Sequence, residues 1–289
     1  MAKDRSLFRF GIIFYGLGNQ MMSYLYYKAR KELTGEKIIL WAPRHRPLAD
    51  HNGFELERLF DIHPVGKFWG EIIWLLYKKR NNRLIRHFVS CRRDHFSDNL
   101  AQDRQDTKLI HFIMAGDKDK DFYIKRRKEI QEEYAFKESM LNEGSKQWLE
   151  TIMQDSDSCS LHVRRGDYVG HPTFDNICTP TYYSNAIAEI KKCVKQDVHF
   201  FVFSDDISWC KETFGTEGFS YIDCNHGMDS WQDMMLISRC KHHILANSTF
   251  SWWGAFLGDR EGSVIVCPPK FENKDNGEVY LRTWTRCSN

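Results

Sequence analysis

The chain has 289 residues, 42% of them apolar and 14% aromatic, enough material for one large domain or for two modest ones that share a cleft. With 20 Phe, 12 Tyr and 9 Trp it is not disordered, and 41 basic against 39 acidic groups leave a net charge of +2, too weak a global field to gather nucleic acid. Apolar runs such as Ile72–Tyr77 and Ser263–Cys267 fall short of the roughly 20 residues that a membrane span requires.

Asp4, Arg5 and Arg9 interrupt the first 30 residues, and no small-residue cleavage site follows an apolar run, so no secretory signal is expected. The first predicted strand, Leu7–Phe14, runs into Tyr15-Gly16-Leu17-Gly18-Asn19-Gln20 and then a helix to about Leu33, followed by strand Lys37–Trp41. Glycines between a strand and a helix permit a tight turn and bring backbone N–H groups close to an anion. A dinucleotide fingerprint would need glycine where Met21 stands and an acid where Trp41 stands, so nicotinamide binding is disfavoured. Taken alone, an ordinary strand–helix turn explains this motif as well as a phosphate or sugar site does.

Residues 42–150 read less clearly. Gly53–Phe60, Trp69–Phe88 and Phe122–Trp148 have helical patterns, and 98–120 is polar and turn-rich. The segment 69–93 interleaves aromatic residues with Lys78, Lys79, Arg80, Arg83 and Arg86. A solvated helix face is the plainer reading, and contact with an anionic membrane or a lipid-linked acceptor is the alternative. A domain boundary is placed at Gln154–Ser158, giving domains of 1–155 and 156–289.

From there strands alternate with helices: Ser158–Arg164, Val198–Phe203, Phe219–Asp223, His243–Asn247 and Ser263–Cys267. One helix starts with Thr179 as N-cap and Pro180 as its first residue. Another starts at Ser230 with the capping-box form Ser230-Trp-Gln-Asp233, and a third spans Ser248 to a C-capping Gly258. Such alternation predicts a parallel sheet covered by helices on both faces. Ligands then bind beyond the carboxyl ends of the strands, where every motif below lies.

At the first of these strand ends stands Leu161-His162-Val163-Arg164-Arg165-Gly166-Asp167-Tyr168. Alternation puts His162 and Arg164 on one face, and the forked, always-charged guanidinium suits a diphosphate. A structural ion pair with Asp167 is the other reading. Phe203-Ser204-Asp205-Asp206 follows, where an N-cap at Ser204 with both aspartates in the first helical turn is favoured over a divalent metal. Asn247-Ser248-Thr249-Phe250-Ser251-Trp252-Trp253 sets hydroxyls at a helix start. Its sequon is expected to be buried, and at least one tryptophan is expected in the core. The nine cysteines show no CxxC pair and read as reduced thiols of a cytoplasmic protein. The histidines lack metal-ligand spacing, and His242-His243 reads as structural.

In this order, these four blocks resemble the bacterial α-1,2-fucosyltransferases of glycosyltransferase family 11, over residues 11–258. The resemblance implies an α/β, GT-B-like fold of two Rossmann-type domains facing across a cleft, the first on the acceptor side and the second binding GDP-fucose. It further implies fucose transfer to the 2-hydroxyl of a galactose in an oligosaccharide or lipid-linked glycan. Arginines standing in for a cation make the expected reaction free of metal and cofactor, and the missing secretory signal with the basic segment 69–93 puts the protein in the cytoplasm or at the inner face of the membrane. Tyr15 replaces the first glycine of the family's usual GGLGNQ, a variation within the turn. On this reading Arg164 is catalytic, with Arg165 second to it, and Asp167 is either the general base or an orienting partner of the arginines. Asn19 closes on donor or acceptor, and His162, Gly16, Gly18, Gln20, Ser248, Thr249 and Ser251 line the donor site. Rival readings are another sugar nucleotide or linkage, a non-catalytic binding protein and a membrane-surface interaction protein.

Overall fold

The computed structural model describes residues 8–43, 51–64, 66–93, 108–115, 120–194, 197–274 and 279–289. Leu7, Asp4 and Arg5 therefore lie outside the described residues, as do 98–107 and 116–119 of the predicted polar stretch. The chain divides into two compact units, Met1–Lys125 and Arg126–Asn289.

The first unit holds a four-stranded parallel sheet in the order β2-β1-β4-β3, built from β1 (Phe8–Ile12), β2 (Ile38–Trp41), β3 (Val89–Arg93) and β4 (Ile110–Met114). Helix α1 (Leu17–Thr34) packs on β1, where Gly11 lies under Tyr27: a Cβ at this glycine would come within 2.8 Å of the ring. The Tyr27 hydroxyl lies 2.8 Å from the carbonyl oxygens of both Ile12 and Ile113 and accepts from the Ala115 N–H at 3.0 Å. It thereby satisfies backbone groups where β1 and β4 end, which would otherwise be buried without partners. After α2 (Leu56–Phe60), helix α3 (Lys67–Lys78) covers the sheet with Ile73, Trp74 and Tyr77 against Trp41, Val89 and Phe112. The predicted long helix 69–88 thus ends at Lys78, and β3 and β4 arise in a region whose sequence lacks strand alternation.

The second unit begins earlier than the turn at 155 suggests. The predicted helix 122–148 is broken into α4 (Lys120–Lys125), α5 (Arg127–Glu133) and α6 (Glu143–Gln154), with α4 in the first unit and the others in the second. Arg127 pairs with Asp259 at 3.0 Å, Tyr134 meets Trp253 edge-on at 5.1 Å, and Trp148 packs on Phe201. These contacts tie α5 and α6 to the elements that follow them. The sheet comprises β5 (Cys159–Val163), β6 (Phe200–Ser204), β7 (Phe219–Ile222), β8 (His242–Ile244), β9 (Ile265–Cys267) and β10 (Thr285–Arg286). All its pairings are parallel, in the order β7-β6-β5-β8-β9-β10, which is the doubly wound order with its reversal between β5 and β8.

Helices α7 (Pro180–Val194) and α8 (Ile207–Phe214) cover one face of this sheet. On the other face α6 packs with α9 (Trp231–Arg239), against which α10 (Thr249–Gly258) lies. Thr179 caps α7 as expected, its hydroxyl accepting the Tyr182 N–H. Trp252 and Trp253 are both fully buried. All nine cysteines are free. His243 bonds to Ser160 and His242 accepts the Val264 N–H, which makes both structural. Two expected caps differ. Ser230 stands before α9 without a side-chain capping bond, because Asp233 turns instead to Asn225. Gly258 is the last residue of α10 rather than a left-handed cap, which falls to Asp259 in extended backbone.

Gly258 serves close approach instead: a Cβ there would sit 2.7 Å from the Ser238 carbonyl and 2.9 Å from the His243 ring, and Gly254 likewise leaves room for Ile237. Gly258→Ala pushes against backbone that cannot yield, so it is expected to lower unfolding stability by about 1–3 kcal/mol, read from urea melts.

Candidate functional site

In the second unit the strands part where the sheet order reverses. Pairing between β5 and β8 stops at Leu161 and Ile244, while β5 stays paired with β6 through Val163. The carbonyls this exposes are met by two adjacent tyrosines of α7: Tyr182 donates to Leu245 at 2.6 Å and Tyr183 to His162 at 3.3 Å. Beyond this opening lie the turn Arg164–Asp167 on one side and the start of α10 on the other.

Asp205, just past β6, organises the turn. Its carboxylate accepts from the backbone N–H groups of Arg165 at 2.8 Å and Gly166 at 3.1 Å and pairs with Arg164 Nη1 at 3.0 Å. Gly166 leaves room for this carboxylate: a Cβ there would stand 3.0 Å from an Asp205 oxygen, so the side chain would have to shift by a few tenths of an ångström. Asp167 grips Arg164 from the other side, accepting from Nε and Nη2 at 2.8 Å each. The Arg164 guanidinium is therefore held by two carboxylates while a third of its side chain remains exposed. Arg165 points elsewhere, as neighbours on a strand do. It lies 4.2 Å over the Trp209 ring and pairs with Asp206 at 3.0 Å.

Asp206, not Ser204, caps α8. Its Oδ1 accepts the Trp209 N–H at 3.1 Å, and the Ser204 hydroxyl accepts the Asp206 N–H at 2.9 Å. The Trp209 amide and then the Arg165 guanidinium hold the Asp206 carboxyl below the usual carboxylate range. No cluster of three or more His, Cys, Asp or Glu side chains suited to a metal ion occurs among the described residues.

His162 is buried and stacks on Phe250 of α10 at 5.6 Å, with Nδ1 lacking any hydrogen-bond partner. Burial, reinforced by repulsion from Arg164, pushes its pKa down to about 3, so the ring is neutral at physiological pH. Ser248 caps α10 by accepting the Phe250 N–H at 3.2 Å, and it also bonds to Tyr168, whose burial lifts the phenol to about 12. Thr249 is the first residue of α10 and is partly exposed. Ser251 differs from expectation: its hydroxyl is buried and donates to the carbonyls of Ala246 and Ser248, shaping the helix start rather than facing a ligand. Asn247 is buried too, donating to the carbonyls of Phe174 and Phe271 and accepting from Cys178, so its sequon is occupied by the fold.

The remaining candidates belong to the first unit. Gly16 is the N-cap of α1, Gly18 is buried in its first turn and Asn19 is exposed. Gln20 is fully buried. It donates to the carbonyls of Tyr15 and Gly53 and accepts the Glu55 N–H, stapling the 53–55 loop to the β1–α1 turn. Tyr15 adopts φ +65°, the left-handed region that suits glycine, and the residue is 53% exposed.

Two carboxyls, a buried Glu55 and a half-buried Asp233, escaped the sequence patterns as candidates. Glu55, beside the Gln20 staple, has one oxygen with no hydrogen bond and Arg58 at 3.5 Å; burial lifts its pKa to about 7. Asp233, in the first turn of α9 beyond β7, accepts from Asn225, which also bonds Asn142 and Ser145 of α6, and burial raises it to about 7. Glu55 stands at the N-cap of α2 and Asp233 in the first turn of α9. A lone Glu or Asp near a helix start carries no sequence signal of this.

The profile of glycosyl transferase family 11 matches residues 90–288. An α-1,2-colitosyltransferase of Escherichia coli is 30% identical over 278 residues, 90% of this chain and 91% of that one. The E. coli O-antigen biosynthesis glycosyltransferase WbnK is 37% identical over 138 residues, which span 46% of this chain and 45% of WbnK. Human galactoside α-(1,2)-fucosyltransferase 1 is 29% identical over 101 residues, 34% of this chain and 28% of the human protein. Among solved structures, Arabidopsis thaliana FUT1 in complex with GDP superimposes with a TM-score of 0.51 at 12% identity, covering 92% of this chain and 71% of that one. The apo form of POFUT1 gives 0.50 at 13%, covering 93% and 99%.

Because φ at residue 15 favours glycine, Tyr15→Gly is expected to be more stable than Tyr15→Ala by about 1 kcal/mol, the reverse of the usual order, in denaturant titrations. Asp233 gives a pH signature. Burial raises its folded pKa from the ordinary carboxylate range to about 7, so the folded chain holds a proton that the unfolded chain loses. Its stabilising contribution is full below pH 4 and is lost as the pH rises to about 7. Asp233→Asn should flatten this fall, seen as a smaller change of urea midpoint between pH 5 and pH 8.

Proposed function

The chain belongs to glycosyl transferase family 11 and has an α/β, GT-B-type fold of parallel sheets; on that premise we propose that this glycosyltransferase moves L-fucose from GDP-β-L-fucose to the 2-hydroxyl of a galactose in a glycan. The observation that carries this reading is Arg164, presented by two carboxylates at the reversal point of the second sheet, opposite the start of α10. In doubly wound sheets this is where nucleotides bind.

A β-linked donor attacked from the opposite face gives an α product, hence inversion in one displacement. As the bond to the sugar breaks, negative charge grows on the departing diphosphate. Arg164 and the N–H groups and hydroxyls of Ser248 and Thr249 neutralise it, and neutral His162 offers the nucleotide a hydrogen bond without competing for charge. The reaction needs no metal on this reading, because the carboxylates of Asp205 and Asp206 are committed to the turn, the arginines and the α8 cap. Asp167 is the positioning partner of Arg164 rather than the base, and Arg165 positions α8. Gly16, Gly18 and Gln20 shape the first unit's turn, where Asn19 is exposed.

A second donor has a specific observation in its favour: the relative aligned over 90% of this chain is a colitosyltransferase. Colitose is fucose without its 3-hydroxyl, so both donors present the same diphosphate to Arg164.

The deciding experiment incubates the protein with GDP-fucose or GDP-colitose and galactose-terminated oligosaccharides, with and without chelator, and locates the new linkage by NMR. Fucosylation at O2 that survives chelation is the expected result. Arg164→Ala should lower kcat at least about 10²-fold, the cost of removing one such electrostatic donor. Asp167→Asn should lower kcat while leaving the shape of the pH profile intact, and loss of the basic limb would make Asp167 the base.

A further inference from the structure

The site leaves one large feature of the first unit unused. Helix α3 buries Ile73, Trp74 and Tyr77 against its sheet, and the opposite side carries Trp69, Ile72 and Leu75 at i, i+3 and i+6. These three are 61%, 37% and 54% exposed. The chain continues through a turn in which Leu84 and Phe88 are also exposed. Between Ile72 and Cys91 stand five Lys or Arg residues, with no Asp or Glu, which leaves 36 basic against 39 acidic groups elsewhere. Lys78, Lys79, Arg83 and Arg86 are exposed, while Arg80 folds back on the Tyr77 ring and carbonyl.

A purely solvated helix face accounts for the cations but not for a tryptophan, an isoleucine and a leucine in one outward row. Among the described residues no helix is long and apolar enough to cross a membrane. Apolar side chains flanked by cations match the polar–apolar boundary of a bilayer with negatively charged headgroups, where each basic group adds attraction and the apolar row enters the interface.

We propose that the outer face of α3 and the basic turn after it form a docking surface for a bilayer bearing anionic lipid headgroups. Docking there holds the protein at the surface where a lipid-linked glycan would present its acceptor sugar. The binding step itself needs neither donor nor acceptor, so it can be tested apart from the transfer reaction.

The test is co-sedimentation of the whole protein with vesicles of phosphatidylcholine alone or with about 30 mol% phosphatidylglycerol. Binding to the anionic vesicles, weakened in about 0.5 M NaCl and absent from the neutral ones, is the expected result. The double variant Lys78→Glu/Lys79→Glu should lower the partition coefficient at least tenfold. Leu75→Ser, which removes an exposed apolar group, should lower it severalfold at either salt concentration. Both variants should keep the wild-type melting temperature and wild-type turnover on a soluble oligosaccharide, which separates lost docking from misfolding. Equal partition onto neutral vesicles, failure to bind anionic ones, or binding undiminished by either variant would each overturn the proposal. Binding of duplex DNA without vesicle binding would reassign the surface to nucleic acid.

Discussion

The second unit depends on a single carboxylate that reaches across between two strand ends. Asp205 collects two backbone N–H groups from the turn after β5 and one arm of Arg164. Hydrogen bonds to a charged group contribute about 1.5–3 kcal/mol each, against about 1 for neutral pairs. The turn they order contains a glycine and two arginines and would otherwise have many conformations. The blocks HVRRGDY and FSDD, separated in sequence by a whole helix, are therefore one device: the first supplies a guanidinium and the second fixes where it points. Gly166 lets the carboxylate approach closely, since a Cβ would crowd it at 3.0 Å.

That device was only half legible in the sequence. Alternation along β5 correctly put Arg164 at a strand end and apart from Arg165, because a parallel strand buried on both faces has no freedom in register. The pairing of Arg164 with Asp167 was among the readings that local spacing allowed. The clamp by Asp205 was not, since it joins residues from different strands and the aspartate pair reads equally as a cap. Ser204 resembled the cap because hydroxyls commonly hold that place, yet Ser204 still belongs to β6 and the cap falls two residues later, at Asp206. Ser251 and Gln20 show a related limit: their types suit ligand contact, but both side chains are consumed by backbone groups that strand ends and turns would leave unsatisfied.

In the first unit the sequence was informative where periodicity was long and misleading where it was short. β1, α1 and β2 emerge within a few residues of their predicted bounds, because one glycine-bearing turn and an amphipathic helix define them. β3 and β4 remained hidden, since five-residue strands with mixed faces next to basic turns carry almost no pattern. The helix over 122–148 failed for another reason. Its apolar residues serve two units in turn, Tyr123 reaching Met22 and Tyr134 reaching Trp253, and a single helical period cannot do both.

On the proposed reading, the charges at the site suit a leaving group better than a resting ligand. Arg164 has two carboxylate partners, so its field is largely balanced until a diphosphate approaches, and its orientation is set before binding. A neighbouring charged histidine would add attraction, but at the cost of repelling Arg164 inside a buried strand end. The fold avoids this by keeping His162 neutral against Phe250. The α10 start adds partial positive charge through dipoles, which need no counter-ion and do not disturb the arginine's pairs. In the transfer proposed above, one oriented guanidinium, one neutral ring and one helix start would act together on charge as it develops on the leaving group.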